Sequence, residues 1–458
     1  MMQNKPAQTF VLVAMVVAIL IYMHFLPQIS VAGNELRPVN LLSDVIPEQE
    51  KDAQEDEAPM VPPAASLAAG KQENQNARPM KKTPQPAGTF LIEDYSGGAQ
   101  GGMERFYHAL RNSRSLNRPV RIAYFGDSFV EGDILTCDLR EMLQDRFGGM
   151  GAGWVDCGHT SNSNRGTAKV TSNGMVSYAV MNRSTFNKNL QGISERYFVP
   201  SRSAWVNISG TSFRKHIAQG ERSEIYFKTR SPLTLTASLN GGKEETFRME
   251  GSGKVQSAMV KGNIKKVKWA VNDAKEGTCF YGATIEGGHG ITLDNFSMRG
   301  SSGITLKGIP DNTLADFAEI RPYDLIILHF GLNVASSKNT KAYYEHYKKQ
   351  MVNVINKMKR SFPHAAFLVV SISDKDERTQ SGISTMHGLE TLVAYQNMMA
   401  AETHTAFFNL YKAMGGKNSM KAMAESQPPK ANRDYTHINY RGGKFLAKKI
   451  YDAIVAGY

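Results

Sequence analysis

The chain has 458 residues, 41% of them hydrophobic and 21% charged, enough for two or three domains with sizeable cores. That apolar content excludes a globally disordered polymer. Three cysteines exclude a disulfide-dense scaffold and any Cys-rich zinc or iron–sulfur module, while a formal net charge of +12 raises the question of an acidic partner.

Residues 10–26 form an apolar run interrupted only by His24 and preceded by one charge, Lys5. Its 17 positions lie at the lower limit for spanning a bilayer and are slightly long for the apolar stretch of a cleaved export signal. Ser30, Val31 and Ala32 suit a signal peptidase, whereas the length criterion favours a retained anchor. No cysteine follows the run, which excludes a lipoprotein anchor. Residues 1–33 are thus expected to be a signal peptide or a membrane anchor, and either one exports the rest of the chain to the periplasm or cell envelope. Residues 34–90 shift to Pro, Ala, Gln and Glu, with an acidic run at 48–57 followed by Pro59, Pro62 and Pro63. Such a stretch buries too little apolar surface to offset its chain entropy, so it reads as a disordered linker.

Leaving aside Lys5 and the stretch 34–88, with its nine acidic and six basic residues, the remaining chain carries +14. Export argues against nucleic acid as the partner of this charge. Solvated lysines on helix faces are the ordinary account, and attraction to anionic envelope polymers is the functional one.

Residues 102–110 predict a short helix and 119–125 a buried strand ending at Gly126-Asp127-Ser128. Apolar positions 135, 139, 142, 143 and 147 have helical spacing, and glycines 148, 149, 151 and 153 close that helix. From 157 to 288 the texture becomes short alternating runs, such as 223–229, 233–239 and 264–269, separated by glycine-containing turns. This predicts a β-sandwich. Strand and helix patterns then alternate again: strand 324–330, a helix through positions 344–362, strand 365–372, helix 391–403, strand 405–410 and helix 443–455. The expected architecture is a mostly parallel α/β sheet covered on both faces, in two pieces (91–156 and 289–458) around an inserted β-rich domain (157–288). Ligands of such sheets bind at the carboxyl ends of the strands.

Three features at those ends bear on chemistry. Ser128 lies directly after a strand and before a helix, where a nucleophile is held rigidly and N–H groups can meet a developing oxyanion; the same position suits a plain helix cap. Asp434 and His437, three apart ahead of the last helix, can supply a proton acceptor and the group that orients it, or form an ordinary surface turn. Asn333, in Phe330-Gly331-Leu332-Asn333, offers a side-chain amide to the same sheet edge, or is a turn residue. His329, inside an apolar strand, reads as a hydrogen-bonded core histidine, and His289, His364, His387 and His404 show no metal-ligand spacing. Cys137 reads as a small buried apolar residue, while a Cys157–Cys279 bond would staple the ends of the insertion. Trp269 and Tyr226 fit core packing better than sugar stacking. Gly148 to Gly153 lacks the Lys-Ser/Thr ending of a phosphate loop.

Taken in order, Gly126-Asp127-Ser128, a later glycine, Gly331-Leu332-Asn333 and Asp434-Tyr-Thr-His437 resemble the four blocks of the SGNH (GDSL-type) esterase and acyltransferase family. Phe129 replaces the usual Leu, and Val334 stands where an Asp often follows the Asn. The glycine is Gly300 or, in the same turn, Gly303. The layout, together with residues 92–96 and 147–154, looks most like bacterial peptidoglycan O-acetylesterases that carry an inserted carbohydrate-binding-like β-domain.

This resemblance implies a three-layer, flavodoxin-like sheet and a cofactor-free serine esterase that removes O-acetyl groups from peptidoglycan or a related envelope polysaccharide. Catalysis would fall to Ser128, Asp434 and His437, with the Ser128 N–H, the Gly300 N–H and the Asn333 amide around the oxyanion. The implied partner is an acetylated glycan, with membrane anchoring through residues 10–26. An O-acetyltransferase using the same residues and a non-catalytic glycan-binding scaffold are the competing readings.

Overall fold

The computed structural model describes residues 88–97, 102–380 and 382–458, together with Met15 and residues 30–31 and 34–35. The expected anchor at 10–26 and the linker at 34–90 therefore lie almost wholly outside the described residues. In that N-terminal part Ser30–Val31 pairs antiparallel with Asn34–Glu35. Among the described residues no helix is long and apolar enough to cross a membrane.

In chain order the folded part begins with β1 (Glu93–Asp94), α1 (Gly102–Arg111), β2 (Val120–Gly126) and α2 (Thr136–Phe147). Nine strands of a second sheet follow. They are β3 (Gly153–Val155), β4 (Ala168–Ala179), β5 (Arg196–Gly210), β6 (Gly220–Lys228) and β7 (Leu233–Leu239), then β8 (Glu244–Met249), β9 (Val255–Ile264), β10 (Lys266–Asn272) and β11 (Cys279–Ile285). The first sheet resumes with β12 (Ile291–Ser297), α3 (Asp311–Ile320), β13 (Leu325–His329), α4 (Lys341–Ser361) and β14 (Ala366–Val370). A hairpin of β15 (Asp376–Thr379) and β16 (Gly382–Thr385) leads to α5 (Leu389–Glu402) and β17 (Ala406–Phe408). The chain closes with α6 (Leu410–Met414), α7 (Ser419–Glu425) and α8 (Tyr440–Gly457).

The central sheet has the order β12-β2-β13-β14-β17-β1, parallel except for the short edge strand β1. Strands β2, β13 and β14 are buried at every position. That is why they read as continuous apolar runs rather than alternating ones. Ranked by their place in the chain, the five parallel strands run 2-1-3-4-5, a doubly wound order whose switch point lies between β2 and β13. Sheets of this order bind their ligands outside the carboxyl ends of the strands at that point. Ser128 and Asn333 both follow them.

The insertion is antiparallel throughout, in the order β8-β7-β10-β5-β11-β6-β9, with β4 on β5 and β3 on β11. The expected sandwich of two sheets is instead one continuous sheet folded over its own core. Trp269 on β10 donates from Nε1 to Ser223 Oγ on β6 at 3.0 Å, although in a flat sheet those strands would lie about 14 Å apart. The bend lies in β5, whose residues 203–209 pair with β10 while Phe198 pairs with β11, and whose register against β4 shifts between Asn173 and Met175. Trp269 and Tyr226 are both fully buried, so packing is their use.

The expected Cys157–Cys279 bond is absent: all three cysteines are free and buried. The two side chains point into different cores, Cys279 into the one shared with the α/β sheet and Cys157 into that of the insertion. Burial pushes the Cys279 thiol up to about 11 and Cys157 well above its ordinary range.

The long β4–β5 pair and its connecting loop are bolted to the α/β sheet. Arg196 donates to the Ser297 carbonyl at 3.0 Å and Gln191 to that of Thr305 at 3.0 Å. Beside them Glu195 is buried with a φ of 59°, and neither carboxylate oxygen has a hydrogen-bond partner among the described residues. Burial pushes this carboxyl up to about 7 against the pulls of the nearby Thr305 side chain and Arg196. A carboxyl raised in the fold binds its proton more tightly there than in the unfolded chain, so stability falls as pH rises from about 4.5 to about 7. Glu195→Gln is expected to stabilise the protein at pH 8 by on the order of 2 kcal/mol and to change little at pH 5. Urea denaturation at the two pH values checks this, and equal effects at both would contradict it.

Candidate active site

The site begins with a tight turn. Gly126 ends β2 in register with Ser297 and His329 of its neighbours. A Cβ there would sit 2.5 Å from Val130 Cγ2 and 3.0 Å from the His329 carbonyl, so only glycine lets the chain turn beside β13. The Asp127 carboxylate then ties two turns together, accepting from the Phe129 N–H at 3.0 Å and the Leu332 N–H at 3.3 Å. It is buried, and desolvation pushes it up to about 6 despite those bonds. Below the turn His329 is buried against the Tyr124 hydroxyl at 2.9 Å, and burial drives its pKa down to about 3. It is a neutral core histidine.

Ser128 is half-buried at the tip of this turn. Its Oγ lies 3.1 Å from His437 Nε2, and the Nδ1 of that ring lies 2.8 Å from Asp434 Oδ2. Asp434 Oδ1 also accepts from the Thr436 and His437 N–H groups, each at 3.0 Å, so one carboxylate shapes the loop and fixes the ring. Partial burial alone would raise that carboxyl, but the bonds from His437 and Thr436 outweigh it and hold it below the usual range. The loop itself is pinned: the Asp376 N–H donates to the Tyr435 carbonyl at 3.0 Å and the Asn432 N–H to that of His437 at 2.8 Å. Behind it α8 presses on the start of α2 so closely that a Cβ on Gly443 would lie 1.7 Å from the Ile134 carbonyl. That contact fixes the His437 loop against the Ser128 turn.

The other two predicted residues occupy neighbouring strand ends. Asn333 donates one N–H to the Ser301 carbonyl at 3.0 Å, which leaves the second N–H of its amide. Gly300, at φ 81°, lies in the turn after β12, and Met298 at the start of that turn donates to the Gly126 carbonyl at 2.9 Å. The Gly303 N–H is committed to Ser301 Oγ at 3.0 Å, whereas the Gly300 N–H has no partner among the described residues.

Several residues that brace this site carry no sequence signal. Asn295 donates to the Val130 carbonyl, Asp133 and Thr136, holding the segment after the nucleophile turn. Asp133 is itself buried at a φ of 63°. Burial would raise its carboxyl, but Arg140 and Arg165 overcome that and hold it far below the usual range. Arg165 comes from the insertion, a contact between distant segments that no local motif announces. Among the described residues no group of three His, Cys, Asp or Glu side chains is placed to hold a metal ion.

No protein-family model matches the chain, and no curated protein matches it. Among solved structures, a peptidoglycan O-acetylesterase is similar over 80% of this chain and 98% of its own, at 20% identity and a TM-score of 0.66. A family 2 carbohydrate esterase with a carbohydrate-binding domain from Corynascus thermopiles (Myceliophthora fergusii) gives 12% identity over 63% of this chain and all of its own, at a TM-score of 0.28. An acetyl xylan esterase gives 18% identity over 36% of this chain and 81% of its own, at 0.25. The last two superpose too loosely to carry weight. Across both its sheets, the chain has the fold of the first.

Proposed function

We propose that this protein is a serine esterase that removes O-acetyl groups from peptidoglycan or a related envelope polysaccharide. The observation that carries the reading is the Ser128–His437–Asp434 relay, at 3.1 Å and 2.8 Å, set at the switch point of the sheet. A fold in common with an enzyme named for peptidoglycan O-acetyl groups supports the choice of ester.

In the first half of the reaction Ser128 Oγ attacks the acetyl carbonyl as its proton passes to His437 Nε2, and Asp434 stabilises the resulting imidazolium. The oxyanion is met by the Ser128 and Gly300 N–H groups and by the N–H of Asn333 left over from Ser301. His437 then returns the proton to the departing sugar oxygen, leaving acetyl-Ser128. In the second half His437 takes a proton from water, the hydroxide adds to the acyl carbon, and acetate leaves as Ser128 regains its hydrogen. The side chains of His437 and Asp434 are 37% and 48% exposed, which leaves water free to enter. An enzyme passing acetyl to another sugar would have to exclude it.

The apolar run at 10–26 would hold this activity in the envelope. Asn333→Ala is expected to lower kcat about 10²–10³-fold, the usual loss for one oxyanion donor, with KM nearly unchanged. Steady-state kinetics on 4-nitrophenyl acetate reads both parameters. The function is tested by incubating the protein with O-acetylated peptidoglycan. Free acetate is expected, and acetyl groups found by mass spectrometry on a second glycan, or no release at all, would overturn it.

A further inference from the structure

The chain around His437 carries a one-sided charge. Residues 409–458 hold nine lysines and arginines but three acidic residues. All three acids are engaged. Asp434 holds His437 at 2.8 Å, Asp452 takes Lys448 at 2.5 Å, and Glu425 accepts from the Tyr435 hydroxyl at 3.5 Å. Lys430, Arg433, Arg441, Lys444 and Lys449 have no acidic partner among the described residues, and each is exposed or half-exposed. Lys430 and Lys449 place their ammonium groups 5.6 and 5.5 Å from the centroid of one ring, Phe445. Attraction to the ring, about 0.5–1 kcal/mol at an exposed site, draws two like charges together with no counter-ion between them. The patch is also tied to the catalytic loop, since the Asn439 N–H donates to the Lys430 carbonyl at 3.2 Å.

We propose that this surface binds a carboxylate-bearing polymer, the acetylated glycan strand itself, and holds it beside His437. The proposal rests on the esterase reading and adds the charge of the substrate to it. From Arg441 to Lys449 α8 alone rises about 12 Å, so a small anion would meet one or two of the cations, whereas a strand with repeating carboxylates meets them in series. A membrane surface fits less well. Helices that lie on membranes pair their cations with exposed apolar side chains, and the exposed large apolar residues among those described all lie outside 409–458. The apolar side of α8, Leu446, Ala447, Ile450 and Ile454, is buried.

The test uses the full chain in detergent and fluorescein-labelled polygalacturonate, a carboxylate polymer, read by fluorescence anisotropy. Wild type is expected to bind it at 50 mM salt and to lose at least 10-fold in affinity at 300 mM, because exposed charges are screened. The triple variant Arg441→Glu/Lys444→Glu/Lys449→Glu is expected to bind at least 10-fold more weakly at 50 mM. Its circular dichroism should be unchanged, since all three side chains are exposed or half-exposed, none has an acidic partner among the described residues, and glutamate is a good helix former. Ser128→Ala is expected to bind like wild type while losing turnover of 4-nitrophenyl acetate. Binding without turnover in wild type would remove the esterase and keep the patch. Equal binding by wild type and the triple variant would overturn the patch, as would equal affinity for neutral labelled dextran. Patch-dependent capture by phosphatidylglycerol vesicles with none by polygalacturonate would also overturn it, in favour of a membrane.

Discussion

Replacing Ser128 by Ala is expected to lower kcat on an acetyl ester at least about 10⁴-fold while changing stability by less than about 1 kcal/mol. The loss is large because the acetyl-enzyme route disappears, leaving only the oxyanion donors and binding. The small stability change follows from the position of the side chain. It is half-buried at a turn, and its hydroxyl has one hydrogen-bond partner among the described residues, His437. His437→Ala should cost a similar factor, and the double variant should be scarcely worse than either single one, because residues that act as a unit are not additive. Kinetics on 4-nitrophenyl acetate with denaturation curves for all three proteins decides this. Losses that multiply in the double variant would mean that the two side chains work independently.

The largest effect on stability is expected at Arg321. Its side chain is fully buried and donates to Asp294 at 2.8 and 3.0 Å and to Glu286 at 2.8 Å, with the Tyr226 hydroxyl at 3.0 Å. Asp294 lies on β12 of the central sheet, while Tyr226 lies on β6 and Glu286 just beyond β11 of the insertion. One guanidinium therefore joins the two sheets. Glu286 keeps Arg121 and Arg222 at 2.9 Å when Arg321 is removed, but Asp294 is left buried without the cation it pairs with among the described residues. Arg321→Met should cost about 3–5 kcal/mol at pH 7, a large share of the 5–15 kcal/mol typical of a domain. The sign of its pH dependence follows from Glu286. Burial would raise that carboxyl, but Arg121, Arg321 and Arg222 hold it far below its ordinary range, so its contribution is present above about pH 4.5 and fades as pH falls. The gap between wild type and variant should be narrower at pH 3 than at pH 7, because wild type loses the Glu286 contribution that Arg321 adds as pH falls below about 4.5. Urea denaturation at both pH values measures it. A gap under 1 kcal/mol at pH 7, or one that pH leaves unchanged, would contradict the role assigned to this network.

The α/β sheet was legible because strands buried on both faces leave unbroken apolar runs, as in Leu325–His329 and Ala366–Val370. The relay was legible because its members sit in short motifs at strand and helix ends, where geometry depends on a few neighbouring residues. The single folded-over sheet of the insertion was not, since alternation along a strand shows which residues face inward and not which strand lies opposite. The hairpin Asp376–Thr379 with Gly382–Thr385 and the short helices Leu410–Met414 and Ser419–Glu425 escaped because so few residues give no period to read. The buried charges were hidden for a different reason. Asp133 and Arg165 are 32 residues apart and Arg121 and Glu286 are 165 apart, and nothing in either neighbourhood names its partner.

The most direct test of a reactive Ser128 is peptide mass spectrometry after treating the full chain with a serine-directed phosphonylating probe. One adduct, on the peptide containing Ser128, is expected in wild type and should be lost in His437→Ala. An unlabelled wild-type protein, or an adduct at another residue, would contradict the claim that His437 makes this hydroxyl a nucleophile.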